Sequence, residues 1–390
     1  MRNTNTLALI MKHSSFQELI PVWKPSITNQ EKEEVCRVLD IGYLGMGADV
    51  FKFESLVARQ LKVEESSVVS THTGQSSLHL ALLALGVRNG DVVITPSFNN
   101  IADFQAILAT GATPYFCDVD HNTGLISLES LKQCDFSNVK AIICLDYASQ
   151  YCDLKRLSDF ARKKQVALVY DAAHSFGSVD HERLCLADAT MFSFDPIKTI
   201  TAIDAGIIFS TRQEIVDQIR KTRLMGMEQN LNSLSKNQRS SSYEVNLQGF
   251  RYHLSNVHAA LGCVQIKRFD EISEKRFSNI YKTRDRLAKF NSYCKFLDID
   301  DGFTPFMNVC LIADGRRDDF KDYLTKIGIQ TGIHWTPGHH FALLKEYPKA
   351  NLNGTRKFYS DILSLPLYVD LDESAISLIE NGFHDYFGSK

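Results

Sequence analysis

Three short segments hold the residue types that covalent and acid–base chemistry needs. The first is Thr73-Gly74-Gln75-Ser76-Ser77, where a glycine and small hydroxyl side chains sit at a strand-to-helix turn. The N–H groups at the start of a helix have no intrahelical acceptor and carry the positive end of its dipole, so such a turn binds anions, phosphate in particular. The same pattern also serves as a plain serine-capped turn. The second is Asp171-Ala172-Ala173-His174, directly after the apolar run Val-Ala-Leu-Val-Tyr. A carboxylate against the low-dielectric end of a sheet persists only beside a cation or strong donors. A protonated pyridine nitrogen is such a cation, and capping of the next helix is the competing use. The third is Ser193-Phe194-Asp195-Pro196-Ile197-Lys198. A lysine turned into a partly desolvated site has a lowered pKa, so its free amine attacks aldehydes to form a Schiff base. Most lysines do nothing of the kind, and only its company singles this one out.

The elements that must hold these segments follow from periodicity. Between residues 67 and 210, β-rich runs at 67–70, 92–95, 114–119, 140–145, 166–170, 189–193 and 206–210 alternate with helical stretches at 74–85, 99–108 and 153–164. Several runs are almost wholly apolar, as strands covered on both faces are. This predicts an α/β fold, a mostly parallel or mixed sheet with helices on both sides. Longer helices are expected at 255–267 and 271–290. After them comes a mixed stretch to the C-terminus, read as a smaller α+β domain. The expected divisions are an extension at 1–20, a large domain at 21–265 and a small domain at 266–390.

Composition narrows the partners. A formal charge of −3, with no cluster of basic and aromatic residues, offers no field for a nucleic acid backbone. The nine cysteines form no C-x-x-C pair and no metal-type spacing with histidine, so they read as reduced thiols of a cytoplasmic protein, and no metal site is expected. The apolar run at 7–11 is far short of the roughly 20 residues that span a membrane. A dinucleotide fingerprint G-x-G-x-x-G is absent. A phosphate turn, an acid after a later strand and a lysine turn after the next are instead what pyridoxal 5'-phosphate (PLP) requires: an anchor for its phosphate, a partner for its ring nitrogen and an amine for its aldehyde.

The segments His72-Thr73-Gly74-Gln75-Ser76-Ser77-Leu78-His79-Leu80, Gly90-Asp91-Val92-Val93-Ile94-Thr95-Pro96, Tyr170-Asp171-Ala172-Ala173-His174, Ser193 to Lys198 and Gly249-Phe250-Arg251-Tyr252-His253-Leu254-Ser255 occur in the order and at about the spacing of one family. The chain resembles the DegT/StrS-type sugar aminotransferases, PLP-dependent enzymes of fold type I. That resemblance implies a mixed, mostly parallel seven-stranded sheet and a homodimer with active sites at its interface. It implies transfer of an amino group from glutamate to a nucleotide-linked keto sugar, in amino sugar biosynthesis of the kind that feeds polysaccharides such as O-antigen.

By the same resemblance Lys198 would carry the cofactor, Asp171 would pair with its ring nitrogen and His174 would lie near its phenolic oxygen. Gly74, Gln75, Ser76 and Ser193 would hold its phosphate, Asn100 would occupy the ring-stacking position and Arg251 would reach the neighbouring subunit's phosphate. Gly47, His334 and His339 would face the sugar, although a histidine-rich loop also serves as a polar surface turn. The chain departs from the family at Gln75, where threonine is usual. It departs again at Asn100, where an aromatic residue is usual and Phe98 or Phe104 would be substitutes, and at Ala205 and Tyr147-Ala148-Ser149, where glycines are usual. These departures keep open a keto-sugar dehydratase, another small-substrate transaminase or a non-catalytic protein on the same fold. The presence of Lys198, which the family's dehydratases replace by histidine, favours transamination.

Overall fold

The computed structural model describes residues 19–228, 230–238 and 242–388; nearly all of the expected extension lies outside them. Seven strands form the main sheet: β1 (Val68–Thr71), β2 (Val92–Pro96), β3 (Thr113–Cys117), β4 (Val139–Leu145), β5 (Ala167–Asp171), β6 (Ala189–Ser193) and β7 (Gly206–Phe209). Their order is β1-β7-β6-β5-β4-β2-β3. β7 runs antiparallel to both neighbours and the other pairings are parallel, so six strands share one direction. This is the expected mixed, mostly parallel α/β sheet, and each expected strand lies within two residues of an observed one.

The sequence of each strand shows why the sheet is covered on both faces. Side chains alternate with period two. Val68, Ile142, Cys144, Leu168, Tyr170, Ile207 and Phe209 enter one apolar cluster, and their neighbours Val69, Ala141, Ile143, Val169 and Ile208 enter another. Helix α1 (Asn29–Ile41) precedes helix α2 (Ala48–Leu61), which belongs to the first layer, with Val50, Phe53 and Val57 in that core. Helix α3 (Gly74–Ala84) and helix α4 (Ile101–Ala109) cover the other face through Leu78, Leu82, Ala106 and Ile107. A two-stranded ladder, β8 (Met227–Glu228) with β9 (Glu244–Val245), follows. The C-terminal part carries a three-stranded antiparallel sheet of β10 (Cys294–Phe296), β11 (Asn308–Ile312) and β12 (Ile362–Leu365), with its own apolar cluster around Phe320, Leu324, Ile379 and Phe383. Among the described residues no helix is long and apolar enough to cross a membrane.

The entry to α1 is tied down by charge. Glu31 is fully buried; it closes a capping box with Thr28 and meets Arg268 Nη1 at 2.6 Å and Gln265 Nε2 at 2.7 Å. Burial alone would raise its pKa, but the hydrogen bonds from Thr28, Arg268 and Gln265 outweigh that and hold it at about 2, against 4.5 unperturbed. A carboxyl whose folded pKa is depressed adds stability above its unfolded value, and the gain is lost as pH falls through the folded one. Melting temperature should therefore fall between pH 4.5 and 2, and Glu31→Gln should flatten that part of the curve.

Candidate active site

All parallel strands point their carboxyl ends to one edge, where open α/β sheets bind ligands. There, a cavity of about 280 Å³ is lined by residues that include Gly74, Gln75, Asn100, Asp171, His174, Ser193 and Lys198. The fold thus brings together seven of the residues singled out from the sequence.

One end of the cavity is the start of α3. Thr73 and Ser76 cap it reciprocally, the Ser76 N–H donating to Thr73 Oγ1 at 3.0 Å and the Thr73 N–H to Ser76 Oγ at 2.9 Å. The N–H groups of Gly74 and Gln75, the first two helical positions, are left without an intrahelical acceptor. The Ser76 hydroxyl is turned onto Thr73, and Ser76 is not among the lining residues. A Cβ on Gly74 would lie 3.0 Å from Ser193 Cβ and 3.1 Å from its Oγ, so a side chain there would press on Ser193 at the end of β6. Gly74→Ala should crowd this end and weaken PLP binding roughly tenfold, or about 1.4 kcal/mol, in an absorbance titration.

Lys198 sits on a turn built by Asp195, which accepts the N–H of Ile197 at 3.1 Å and, through its carbonyl, that of Lys198 at 3.0 Å. Its Nζ lies 4.8 Å from the centre of the Phe306 ring. Burial lowers the Lys198 pKa, while Asp171, Asp195 and Asp103 oppose the shift. Asp171 ends β5, and its Oδ1 accepts the Ala173 N–H at 2.9 Å. Burial raises its pKa to about 6; the Ala173 N–H and Lys198 pull it down and Asp146 pushes it up.

His174 is buried and kept neutral, its pKa driven well below the usual value by burial, then by Lys198 and His334. Its Nδ1 accepts the Ala148 N–H at 3.3 Å, which places the ring proton on Nε2 as a donor. Ala148 presents that N–H from the left-handed region at φ 57°, at the segment where the family resemblance led one to expect glycine. Ala205 is not left-handed, so its Cβ is accommodated without strain.

Other expected site residues are engaged differently. Asn100 lines the cavity, but its side chain caps α4 by accepting the Ala102 N–H at 2.9 Å. Phe98 and Phe104 are buried against Phe358 and Phe116 and do not line the cavity. Its aromatic wall is instead Trp335, stacked on His174 with ring centres 5.3 Å apart. His334 bonds Ser364 Oγ through Nδ1 at 3.0 Å, and His339 bonds Ser97 Oγ at 2.7 Å. Gly47 caps α2, where a Cβ would collide with Asn237 Oδ1. Arg251 is exposed and lines a separate depression with Met46, Met225 and His253. Sequence reasoning missed Asp103, Asp146 and Trp335. Asp146 directly follows β4 as Asp171 ends β5, and Asp103 lies three residues beyond Asn100 on one helix face, so both had a readable signal.

The donor set fits PLP. Two free helix N–H groups and Ser193 suit its phosphate, a buried carboxylate that needs a cationic partner suits its ring nitrogen, and a neutral imidazole donor suits its phenolic oxygen. A desolvated lysine suits its aldehyde. Among the described residues that line the cavity, Lys198 is the one lysine or arginine, facing Asp103, Asp146, Asp171, Asp195 and Asp204.

A family model described as the DegT/DnrJ/EryC1/StrS aminotransferase family matches residues 25–383. The structure is similar to that of the aminotransferase TlmJ from Streptoalloteichus hindustanus at 25% identity, with a TM-score of 0.86, covering 95% of this chain and 99% of that one. It is similar to the sugar aminotransferase CalS13 from Micromonospora echinospora at 22% identity, TM-score 0.81, covering 94% and 100%. It also resembles NtdA from Bacillus subtilis, solved with the bound cofactor PMP, at 23% identity and TM-score 0.82, covering 95% and 86%.

Proposed function

Because the chain belongs to the DegT/DnrJ/EryC1/StrS aminotransferase family, we propose that it is a PLP-dependent enzyme that moves an amino group from glutamate to a keto sugar carried on a nucleotide. The observation that carries this reading is Lys198 facing Asp171 across a cavity closed at one end by the start of α3. When bound, PLP supplies an aldehyde to take up the amine and a pyridinium ring to withdraw electrons from it. The protein does the rest.

Gly74 and Gln75 offer backbone N–H groups, and Ser193 its hydroxyl, to the phosphate. Asp171 keeps a negative charge against the ring nitrogen, and His174 donates its Nε2 proton to the phenolic oxygen. Lys198, its amine made available by burial, accepts a proton at Nζ from the donor's α-carbon and returns one to the keto carbon of the sugar. Trp335 and the buried aromatic wall behind it keep water from that proton.

The homodimer belongs to the same reading. Asp146, Asp171, Asp195 and Asp204 line the cavity, a field that disfavours a phosphate dianion. Arg251, exposed on its own subunit, is the cation that a second subunit would bring to that phosphate. The test is spectroscopic. The purified protein with PLP should show a visible band that glutamate bleaches and a keto nucleotide sugar restores. A band indifferent to glutamate would refute the donor, and no band at all would refute the enzyme reading.

A further inference from the structure

Asp103 has no part in the reading above, yet it is almost fully buried at the same cavity, in the first turn of α4. Its place is fixed from behind. Asn99 Nδ2 donates to Asp103 Oδ2 at 2.7 Å and to Thr95 Oγ1 at 3.2 Å, and Asn99 and Thr95 are themselves completely buried. On its other side Asp103 faces the cavity that the equally buried Asp171 carboxyl also lines, and each acid acts on the other's proton affinity. Two carboxylates have only acceptors to offer each other, so a hydrogen bond between them requires one proton. Two like charges in contact inside a protein cannot both be sustained. The other charged or titratable groups among the described residues that line this cavity are Lys198, whose ammonium attracts both acids, Asp146, which repels Asp171 and is engaged by Arg183 at 3.1 Å, and Asp195, Asp204 and the neutral His174.

We propose that Asp103 is a positioning residue: it carries a proton and donates it to Asp171, so that the pair holds a single negative charge oriented toward the cofactor's ring nitrogen. The geometry divides the labour. The Ala173 N–H holds Asp171 from the backbone side, the Asp103 O–H holds it from the α4 side, and the remaining lone pairs face the cavity. Burial, and then Asp171 itself, push the Asp103 carboxyl far above its usual range, which agrees with a proton resident there at neutral pH. Only the final clause, the target of the charge, rests on the proposed function; the shared proton is a property of the chain alone.

Infrared spectroscopy of the cofactor-free, full-length protein near neutral pH tests this. Wild type should show the carbonyl stretch of a protonated carboxyl group, moved by exchange into deuterium oxide. Asp103→Asn, which keeps the shape and the bond from Asn99, should lose that band. Asp171→Asn should shift it to higher frequency, since an amide oxygen is a weaker acceptor than a carboxylate. A wild type without the band, a band that survives Asp103→Asn, or one unmoved by Asp171→Asn overturns the proposal. Should Asp103→Asn fail to fold, the shift in Asp171→Asn decides alone. No PLP is involved, so a negative result here leaves the aminotransferase reading standing, and failure of the glutamate test leaves the proton pair standing.

Discussion

Lys198→Ala is expected to lower turnover roughly 10⁴-fold and to remove the visible band that PLP gives with the wild type, while the protein stays folded. Two roles are lost together, the amine that holds the cofactor and the base that moves the substrate proton. Burial lowers the lysine's pKa and so frees its lone pair; the Asp171 and Asp195 carboxylates oppose the shift and keep an ammonium form accessible for the return of the proton. Lys198→Arg should be equally inactive, because a guanidinium keeps charge and bulk but cannot act as a base at neutral pH. A small primary amine added to the alanine variant should restore a measurable part of the activity. Restoration by amine, and none with arginine, would identify proton transfer as the missing function; a variant with a tenth or more of wild-type turnover would contradict it.

The part of this site that could be read from the sequence is the part encoded in continuous segments after strands. Gly74, Asp171, Ser193 and Lys198 each lie within a few residues of the end of β1, β5 or β6, or at the turn that follows. Once period-two apolar runs place a strand, the rule that ligands gather at carboxyl ends places the residue too. What escaped depends on contacts distant in sequence. Trp335 reaches the cavity from the C-terminal part, held there by a bond from Tyr147 Oη to the His334 carbonyl, across 187 positions. The family resemblance placed this segment, with its neighbour His334, toward the substrate, but nothing in the local sequence marks Trp335 as the aromatic wall.

Ser76 illustrates the opposite difficulty. Its spacing after Gly74 suits a phosphate ligand and a capping box equally, and in the fold its hydroxyl is engaged by Thr73. Asn100 is similar, since an asparagine before a helix is a strong N-cap whatever else it lines. The sheet was more legible than the site because burial on both faces leaves a compositional mark on every strand, whereas a side chain's partner leaves none.

Asp171→Asn is expected to separate chemistry from stability, with effects of opposite sign. The amide keeps the shape and the bond to the Ala173 N–H but cannot hold a positive charge on a ring nitrogen, so kcat should fall about 10²- to 10³-fold with little change in KM. In the cofactor-free protein the same substitution should raise the melting temperature. Asp171 is buried and its pKa lies at about 6, above the 3.8 of an exposed aspartate. A carboxyl whose folded pKa is raised binds its proton more tightly in the native state than in the unfolded one, so its contribution to stability declines as pH rises from 3.8 to 6 and stays low beyond. The variant has no such loss. The gap in melting temperature between variant and wild type should therefore open across that interval and level off above it, and saturating PLP should narrow it by supplying the buried charge with its cation. A variant less stable than wild type at pH 7 without PLP would mean that Asp171 is held as a structural acceptor; one more stable yet catalytically impaired would show a charge kept in the fold at a cost to stability because the reaction needs it.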